Sequence, residues 1–428
     1  MLLKELEKFP QEIKSFMRIA STIAGKLGVR IYLVGGIVRD LIIKRKSFDY
    51  DIVVEGDGIE FTQLIADFLR VNFIKHQTFG TATVYYKNYK IDVATCRKEY
   101  YSCWGALPKV TPSSLRDDLY RRDFTINAMA IGLNKDDYGE LLDFYNGYND
   151  LKNGLIRVLH DRSFLDDPTR IFRAIRFEKR FGFRIEGRTL KLIKQALEEE
   201  AIKFVDEQRI RDEIVLILKE DYPPKYIRRI DELIGFSFID KDLKLDKQDY
   251  MLFRRIHRAI KFFYQRFLKY HKLQEWLIYL LGITIKLSKE KVERFCSNFD
   301  FRRGEKKILT EIFIEKRTIH SLKRKVKIRK IISVLKPMSF EAIVFFYAYF
   351  NNKRLNKNIL YFLNNLEKIK INVRGSDLEA INLKPAKIYG KILEELVYVK
   401  LEKNLLTKEE ELEEAKKIFK RLIRAHSN

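Results

Sequence analysis

The sequence predicts an α+β fold: an N-terminal head on a small mixed sheet, then an all-α neck, body and tail. Through residue 148, short apolar runs of strand length alternate with stretches of helical periodicity. From Asp221 onward apolar residues recur every third or fourth place, joined by short connections. With 428 residues the chain exceeds one compact core, so roughly two to four domains are expected. We divide it at 1–148, 149–220, 221–340 and 341–428.

Lys4–Lys26 has helical spacing throughout. Arg30–Val34 is short and apolar and reads as a buried strand; Gly35-Gly36 turns the backbone into a helix over Ile37–Lys44. A second strand covers Phe48–Val54, then a helix Ile59–Val71 and a hairpin, Ala82–Tyr86 with Lys90–Thr95. Arg97–Leu119 contains Gly105, Pro108 and Pro112 without stable periodicity and reads as a loop. Leu141–Asp150 is turn-rich and closes the head. Asp167 before Pro168 fits a helix N-cap. Beyond it Arg170, Arg173 and Arg176 sweep one helix side, while Phe172, Ile175 and Phe177 anchor the rest. Arg209 and Glu213, four apart, are placed to pair on one helix face and brace that helix. In the helical remainder, aromatics among the basic residues of 253–267 read as core. Asn372–Leu396 is interrupted by Gly375, Pro385 and Gly390, and Thr407 with Glu410 makes a capping box for the last helix.

The chemistry gathers in three places. A Gly-rich turn feeding a helix offers N–H groups to a phosphate, with Gly35, Gly36 and Arg39 as the cradle. Asp49 and Asp51 lie two apart on the next strand, so their carboxylates share a face and repel unless a cation sits between them. Two divalent metals held there against a bound triphosphate are the machinery of nucleotidyl transfer. The stretch Arg121–Ala128, RRDFTINA, sets Arg121 and Arg122 toward phosphate, and Asp123 and Asn127 toward sugar hydroxyls. A net charge of +25 calls for a polyanion, and Lys323, Arg324, Lys325, Lys327, Arg329 and Lys330 form the densest positive run for RNA phosphates. Three cysteines without C-x-x-C spacing, and no apolar run long enough for a membrane span, point to a cytoplasmic protein away from membranes.

LVGGIVRD followed by DYD resembles the tRNA nucleotidyltransferase/poly(A) polymerase family, class II of the polymerase-β-like nucleotidyltransferases. The resemblance runs to about Lys219 and more loosely to the C-terminus. It implies a polymerase-β-like head, two Mg²⁺ on Asp49 and Asp51 with Asp92 as third acid, and a mobile loop at 97–119. It also implies that Asp167 and Arg170 bond the Watson–Crick edge of incoming C or A, with Arg173 and Arg176 on the triphosphate. The family usually has Glu-Asp where this chain has Asp166-Asp167. Expected partners are CTP and/or ATP and the acceptor arm and 3′ end of tRNA, with no protein partner implied. Poly(A) synthesis is the alternative and a non-catalytic RNA-binding protein the remote one.

Overall fold

The computed structural model describes residues 2–46, 49–267, 273–365, 370–381, 383, 388–403, 405 and 407–424. Phe48 of the expected second strand and Pro385 of the tail segment lie outside the described residues. The chain forms two compact units, Met1–Glu220 with Lys225–Lys241, and Asp221–Pro224 with Asp242–Asn428.

The first unit opens with α1 (Leu3–Leu6) and α2 (Gln11–Leu27). The single helix expected over Lys4–Lys26 is broken at Pro10, which lacks an N–H and stands extended at φ −51°, ψ 146°. Gly28 then ends α2 in the left-handed region, at φ 68°. Three helices follow within the head, α3 (Gly36–Ile42), α4 (Gly58–Leu69) and α5 (Leu115–Tyr120). Its strands are β1 (Arg30–Val34), β2 (Tyr50–Glu55), β3 (Phe73–His76), β4 (Thr81–Tyr86), β5 (Tyr89–Thr95), β6 (Arg97–Tyr100), β7 (Lys109–Pro112), β8 (Ala130–Gly132) and β9 (Leu141–Leu142).

Among the described residues, seven of these form one sheet in the order β3-β4-β5-β2-β1-β8-β9. β2 and β5 run parallel and the other neighbours antiparallel, so the sheet is mixed, as expected. Period-two alternation divides its side chains. Ile31, Leu33, Ile52, Val54, Ile91 and Val93 join Phe16 of α2 and Phe61 and Ile65 of α4 in the main core. On the other face Tyr32, Val34 and Val53 pack against Leu115 and Leu119 of α5, and this smaller cluster extends to Ala94.

The expected loop at 97–119 holds a second hairpin instead. Arg97 pairs with Pro112 and Tyr100 with Lys109, and α5 begins after Ser114, whose hydroxyl caps it. These strands carry little apolar alternation, and Pro112 occupies an end position where its missing N–H is tolerated, so neither usual strand signal is present.

Behind the head come α6 (Gly147–Lys152), α7 (Ser163–Asp166), α8 (Thr169–Phe181), α9 (Gly187–Glu198) and α10 (Glu207–Leu218). Phe172, Ile175 and Phe177 are buried and fix α8, as expected. In the second unit Phe253, Phe263, Phe345 and Phe346 are fully buried, so these aromatics make core. Thr407 and Glu410 exchange side-chain and backbone bonds of 3.2 and 3.0 Å, which is the expected capping box of the helix Lys408–Arg424. Among the described residues no single helix is long and apolar enough to cross a membrane.

Candidate functional site

The site grows from the turn after β1. Gly35 sits at φ 77°, and a Cβ there would lie 2.7 Å from Arg122 Nη1 and 3.8 Å from Asp51 Oδ2. The absent side chain thus seats a guanidinium against the backbone and beside a carboxylate. Asp51 is half-buried on β2, directly opposite Asp92 on β5. Burial pushes the Asp51 carboxyl above its ordinary value; Arg122 opposes this, while Asp92 and Asp49 add to it. Asp49 is exposed and just precedes β2. Asp92 accepts from Thr83 Oγ1 at 2.6 Å and from Lys90 Nζ at 2.6 Å. Among the described residues, no three His, Cys, Asp or Glu side chains gather closely enough to hold a metal.

A layer of arginines rises beyond this acid pair. Asp118, fully buried on α5, accepts from Arg121 Nη2 at 2.7 Å and from Arg122 Nη2 at 3.0 Å. Burial alone would raise its carboxyl, but Arg122 and Arg121 outweigh it and hold it below the ordinary range. Glu99 of β6 takes the other side of Arg121, at 2.8 Å. Asp123 accepts from Arg173 Nη2 at 2.6 Å and Asn127 Nδ2 at 2.8 Å, and Asn127 Oδ1 in turn accepts from Arg39. Arg39 is buried, with its guanidinium 4.7 Å from the Phe181 ring centre.

Burial works against Asp123 as well, yet Arg173, Asn127 and Arg170 bring its carboxyl down to about 2. A depressed carboxyl stabilises the fold above its unfolded value, and that contribution disappears as pH falls through the folded one. Wild-type stability should therefore decline between the ordinary 3.8 and about 2. Asp123→Asn should flatten that part of an acid-unfolding curve; an unchanged acid limb would contradict the assignment.

Helix α8 begins one residue later than expected, at Thr169, but Asp167 Oδ1 accepts the Thr169 N–H at 3.1 Å. The same oxygen accepts from Arg209 Nη2 at 2.9 Å, while Arg209 Nη1 donates to the Gly105 carbonyl at 2.9 Å. Glu213 meets Arg173 at 3.4 Å and Arg176 at 3.6 Å. The expected pairing of Arg209 with Glu213 is thus replaced, because each finds a partner outside α10, but both do brace the Asp167–Arg176 segment. Arg170 donates to Ser163 Oγ at 2.6 Å and to the Arg121 carbonyl at 2.8 Å. Arg122 Nε and Arg176 Nε are buried without a hydrogen-bond partner. Such orphaned donors suit an anionic ligand.

Many of these side chains border one cleft of about 490 Å³. Gly35, Gly36, Arg39 and Asp51 line its floor, and Arg121, Arg122, Asp123 and Asn127 one wall. Asp167, Arg170, Arg173 and Arg176 line the other. Asp92 lies in an adjoining cleft of about 370 Å³ that shares Asp51, Arg121 and Arg122. Asp49 borders neither. Sequence reasoning missed Glu99, Tyr101 and Arg180, which also line the first cleft, and Asp118, which holds its arginines. Glu99 and Tyr101 fell in the supposed loop, and Asp118 carried no signal beyond preceding the RRD triplet.

In the second unit, the basic run is divided between a 3₁₀ turn ending at Lys323, an extended link, and a helix starting at Ile328. Arg324, Lys325, Lys327, Arg329 and Lys330 are exposed. Lys323 Nζ sits 3.9 Å from the Phe350 ring centre, and Arg329 pairs with Glu395 at 3.5 Å.

Comparison with known proteins agrees with this geometry. Residues 31–157 match the poly A polymerase head domain, and residues 182–238 match a probable RNA and SrmB-binding site of polymerase A. The A-adding tRNA nucleotidyltransferase of Geobacter sulfurreducens is 33% identical over 94% of this chain and 47% of its own length. That of Aquifex aeolicus is 36% identical over 86% and 44%. The chain thus spans about half the length of the curated relatives it matches. Among solved structures, an apo form of a CCA-adding enzyme superposes with a TM-score of 0.81 at 34% identity, covering 96% of both chains. The Thermotoga maritima CCA-adding enzyme complexed with tRNA gives 0.77 at 33% identity, again covering 96% of both.

Proposed function

Since the chain belongs to the tRNA nucleotidyltransferase/poly(A) polymerase family, we propose that it adds C and/or A to the 3′ end of tRNA from CTP and/or ATP, without a nucleic-acid template. The supporting observation is the first cleft, where Gly35, Asp51 and Arg122 meet the arginines of α8. The curated relatives add A or CC or CCA to tRNA, and related structures hold ATP, CTP and tRNA.

Carboxylate oxygens are the donors a hard divalent cation prefers, although among the described residues no three acids are gathered around one point. Asp51 is destabilised as a carboxylate by burial and by two neighbouring acids, which a cation would relieve. In this reading Asp49 and Asp51, with Asp92 beside them, hold two Mg²⁺. Bound there, the ions would acidify the RNA 3′-hydroxyl and offset charge on the departing pyrophosphate.

The chain's own residues do the rest. Gly35 and Gly36 let the triphosphate reach the backbone, and Arg122, Arg173 and Arg176 take its charge. The 3′-oxygen bonds to the α-phosphorus as the bond to the bridging oxygen breaks; pyrophosphate leaves and the hydroxyl proton passes to solvent. Asp167 and Arg170 offer an acceptor and a planar fork to the base edge. In this arrangement residues 1–148 form the catalytic head and 149–220 the base-reading neck. The body (221–340) and tail (341–428) bind RNA, with Lys323, Arg324, Lys325, Lys327, Arg329 and Lys330 on phosphates. Reduced, free cysteines agree with a cytoplasmic site of action.

The test is incorporation on tRNA lacking CCA, lacking CA and lacking only A, with each nucleoside triphosphate alone. Addition that stops at the mature end supports the proposal; long A tails on unstructured RNA would replace it with poly(A) synthesis. Base choice provides a sharper expectation. Asp167→Ala or Arg170→Ala should bring kcat/KM for the preferred and rejected nucleotides about tenfold closer, since each removes a bond worth on the order of 1–2 kcal/mol. A uniform fall for all four nucleotides would leave these residues without a role in selection.

A further inference from the structure

Beside the break at Pro10 lies a cavity of about 440 Å³, between the end of α1, α3 and the start of β2. That volume falls in the range of roughly 300–1,000 Å³ that small-molecule sites occupy. Its walls are apolar: Phe9 and Tyr50 meet edge to face at 5.4 Å, and Pro10, Ile37 and Leu41 complete them. Among these five the Tyr50 hydroxyl is the one polar side-chain group. A nucleobase would leave its hydrogen-bonding edge unpaired inside, whereas a hydrocarbon chain has none to pair.

The mouth is basic. Lys44, Arg45 and Lys46 line it, all exposed, and none of the three makes an ion pair among the described residues. Glu5, the acid at the rim, is taken by Lys8 at 2.6 Å. The backbone adds an independent sign. α3 closes with the Lys44 N–H on the Leu41 carbonyl at 3.1 Å and the Arg45 N–H on the Asp40 carbonyl at 2.8 Å. This closure holds Lys44 in the left-handed region, at φ 56°, where glycine or asparagine is the ordinary choice. A lysine there carries a conformational cost, and what it adds is a cation at the mouth.

We infer that this cavity is a second ligand site, suited to a single-chain anionic amphiphile. The hydrocarbon tail lies along Phe9 and Leu41, and a carboxylate or phosphate head meets Lys44 and Lys46. α3 links this site to the first cleft, because Ile37 and Leu41 line the cavity while Gly36 and Arg39 line that cleft. Phe181 is a second link: its ring centre lies 5.3 Å from the Arg45 guanidinium and 4.7 Å from that of Arg39. A head group that draws on Arg45 alters a ring that Arg39 shares, so filling the cavity changes nucleotide binding.

Calorimetric titration of the full chain with hexanoate, octanoate and decanoate, below micelle-forming concentrations, tests this. One molecule should bind per chain, about three- to fourfold tighter for each added methylene. Decanol and decyltrimethylammonium, which lack the anionic head, should bind about tenfold more weakly than decanoate. Lys44→Gly suits the left-handed backbone, so its melting temperature should hold or rise while decanoate binding weakens about fivefold. Lys46→Glu should weaken binding at least as much. Saturating ATP should shift the decanoate constant about threefold, and decanoate should shift the ATP constant by the same factor. No saturable binding, no dependence on tail length, or indifference to both substitutions overturns the site. Outright displacement by ATP overturns it too, by assigning the amphiphile to the first cleft, and a coupling factor of one overturns the link between the two. None of these measurements involves catalysis, so the transfer reading stands or falls separately.

Discussion

Asp51→Asn should reduce nucleotide incorporation by ~10³-fold or more, a loss of roughly 4 kcal/mol of transition-state stabilisation. The substitution keeps the side chain's shape and removes only its charge. Burial and two neighbouring acids already disfavour that charge in the free protein. The melting temperature should therefore hold steady or rise slightly, because the variant relieves repulsion that the wild type tolerates. Activity and stability thus move in different directions, which separates a functional carboxylate from a structural one. The measurement is a single-turnover incorporation assay beside a thermal melt. Activity within tenfold of wild type would falsify the metal-holding role of Asp51.

Asp118→Ala should have the largest effect on stability. It strips the shared acceptor from Arg121 and Arg122, whose side chains are only 18% and 16% exposed. Removing one side of a buried ionic cluster costs about 3–5 kcal/mol, because the remaining charges keep their desolvation penalty without their partner. Glu99 continues to hold Arg121, so the low end of that range is expected. Arg122 keeps only the nearby charge of Asp51, with no second ion pair among the described residues, and should loosen from Gly35, weakening triphosphate binding. Urea unfolding and nucleotide titration read the two consequences. A variant as stable as wild type would show that water, not Asp118, satisfies these guanidiniums.

The two residues differ in how openly the sequence announces them. Asp51 stands in a strand whose alternation is clear, two residues from another acid and shortly after a glycine pair, so local pattern alone marks it. β1 is marked instead by a continuous apolar run, buried from Ile31 to Val34, and the β4–β5 hairpin by two strand-length runs about a short turn. Asp118 is an ordinary acid in a short helix until tertiary packing closes β6 over it. The β6–β7 hairpin was unreadable for a related reason: its strands pair with each other at a surface, and no apolar stripe records that. Arg209 and Glu213 show the opposite failure. Helical spacing proposed a pair, but partners on other segments offered Asp167, Arg173 and Arg176 instead. The break at Pro10 was legible, since proline cannot donate in a helix interior, and the long periodic run around it hid the signal.

Arg209 joins the Gly105 carbonyl to the carboxylate of Asp167. An engineer wishing to retune nucleotide preference could not treat positions 167 and 170 as an isolated cassette. Exchanging Asp167 for a neutral or longer side chain strands Arg209 and loosens its hold on the hairpin tip at the same stroke. Libraries for altered preference should therefore vary residues 105, 167, 170 and 209 together, although these four are scattered over more than a hundred positions of the chain.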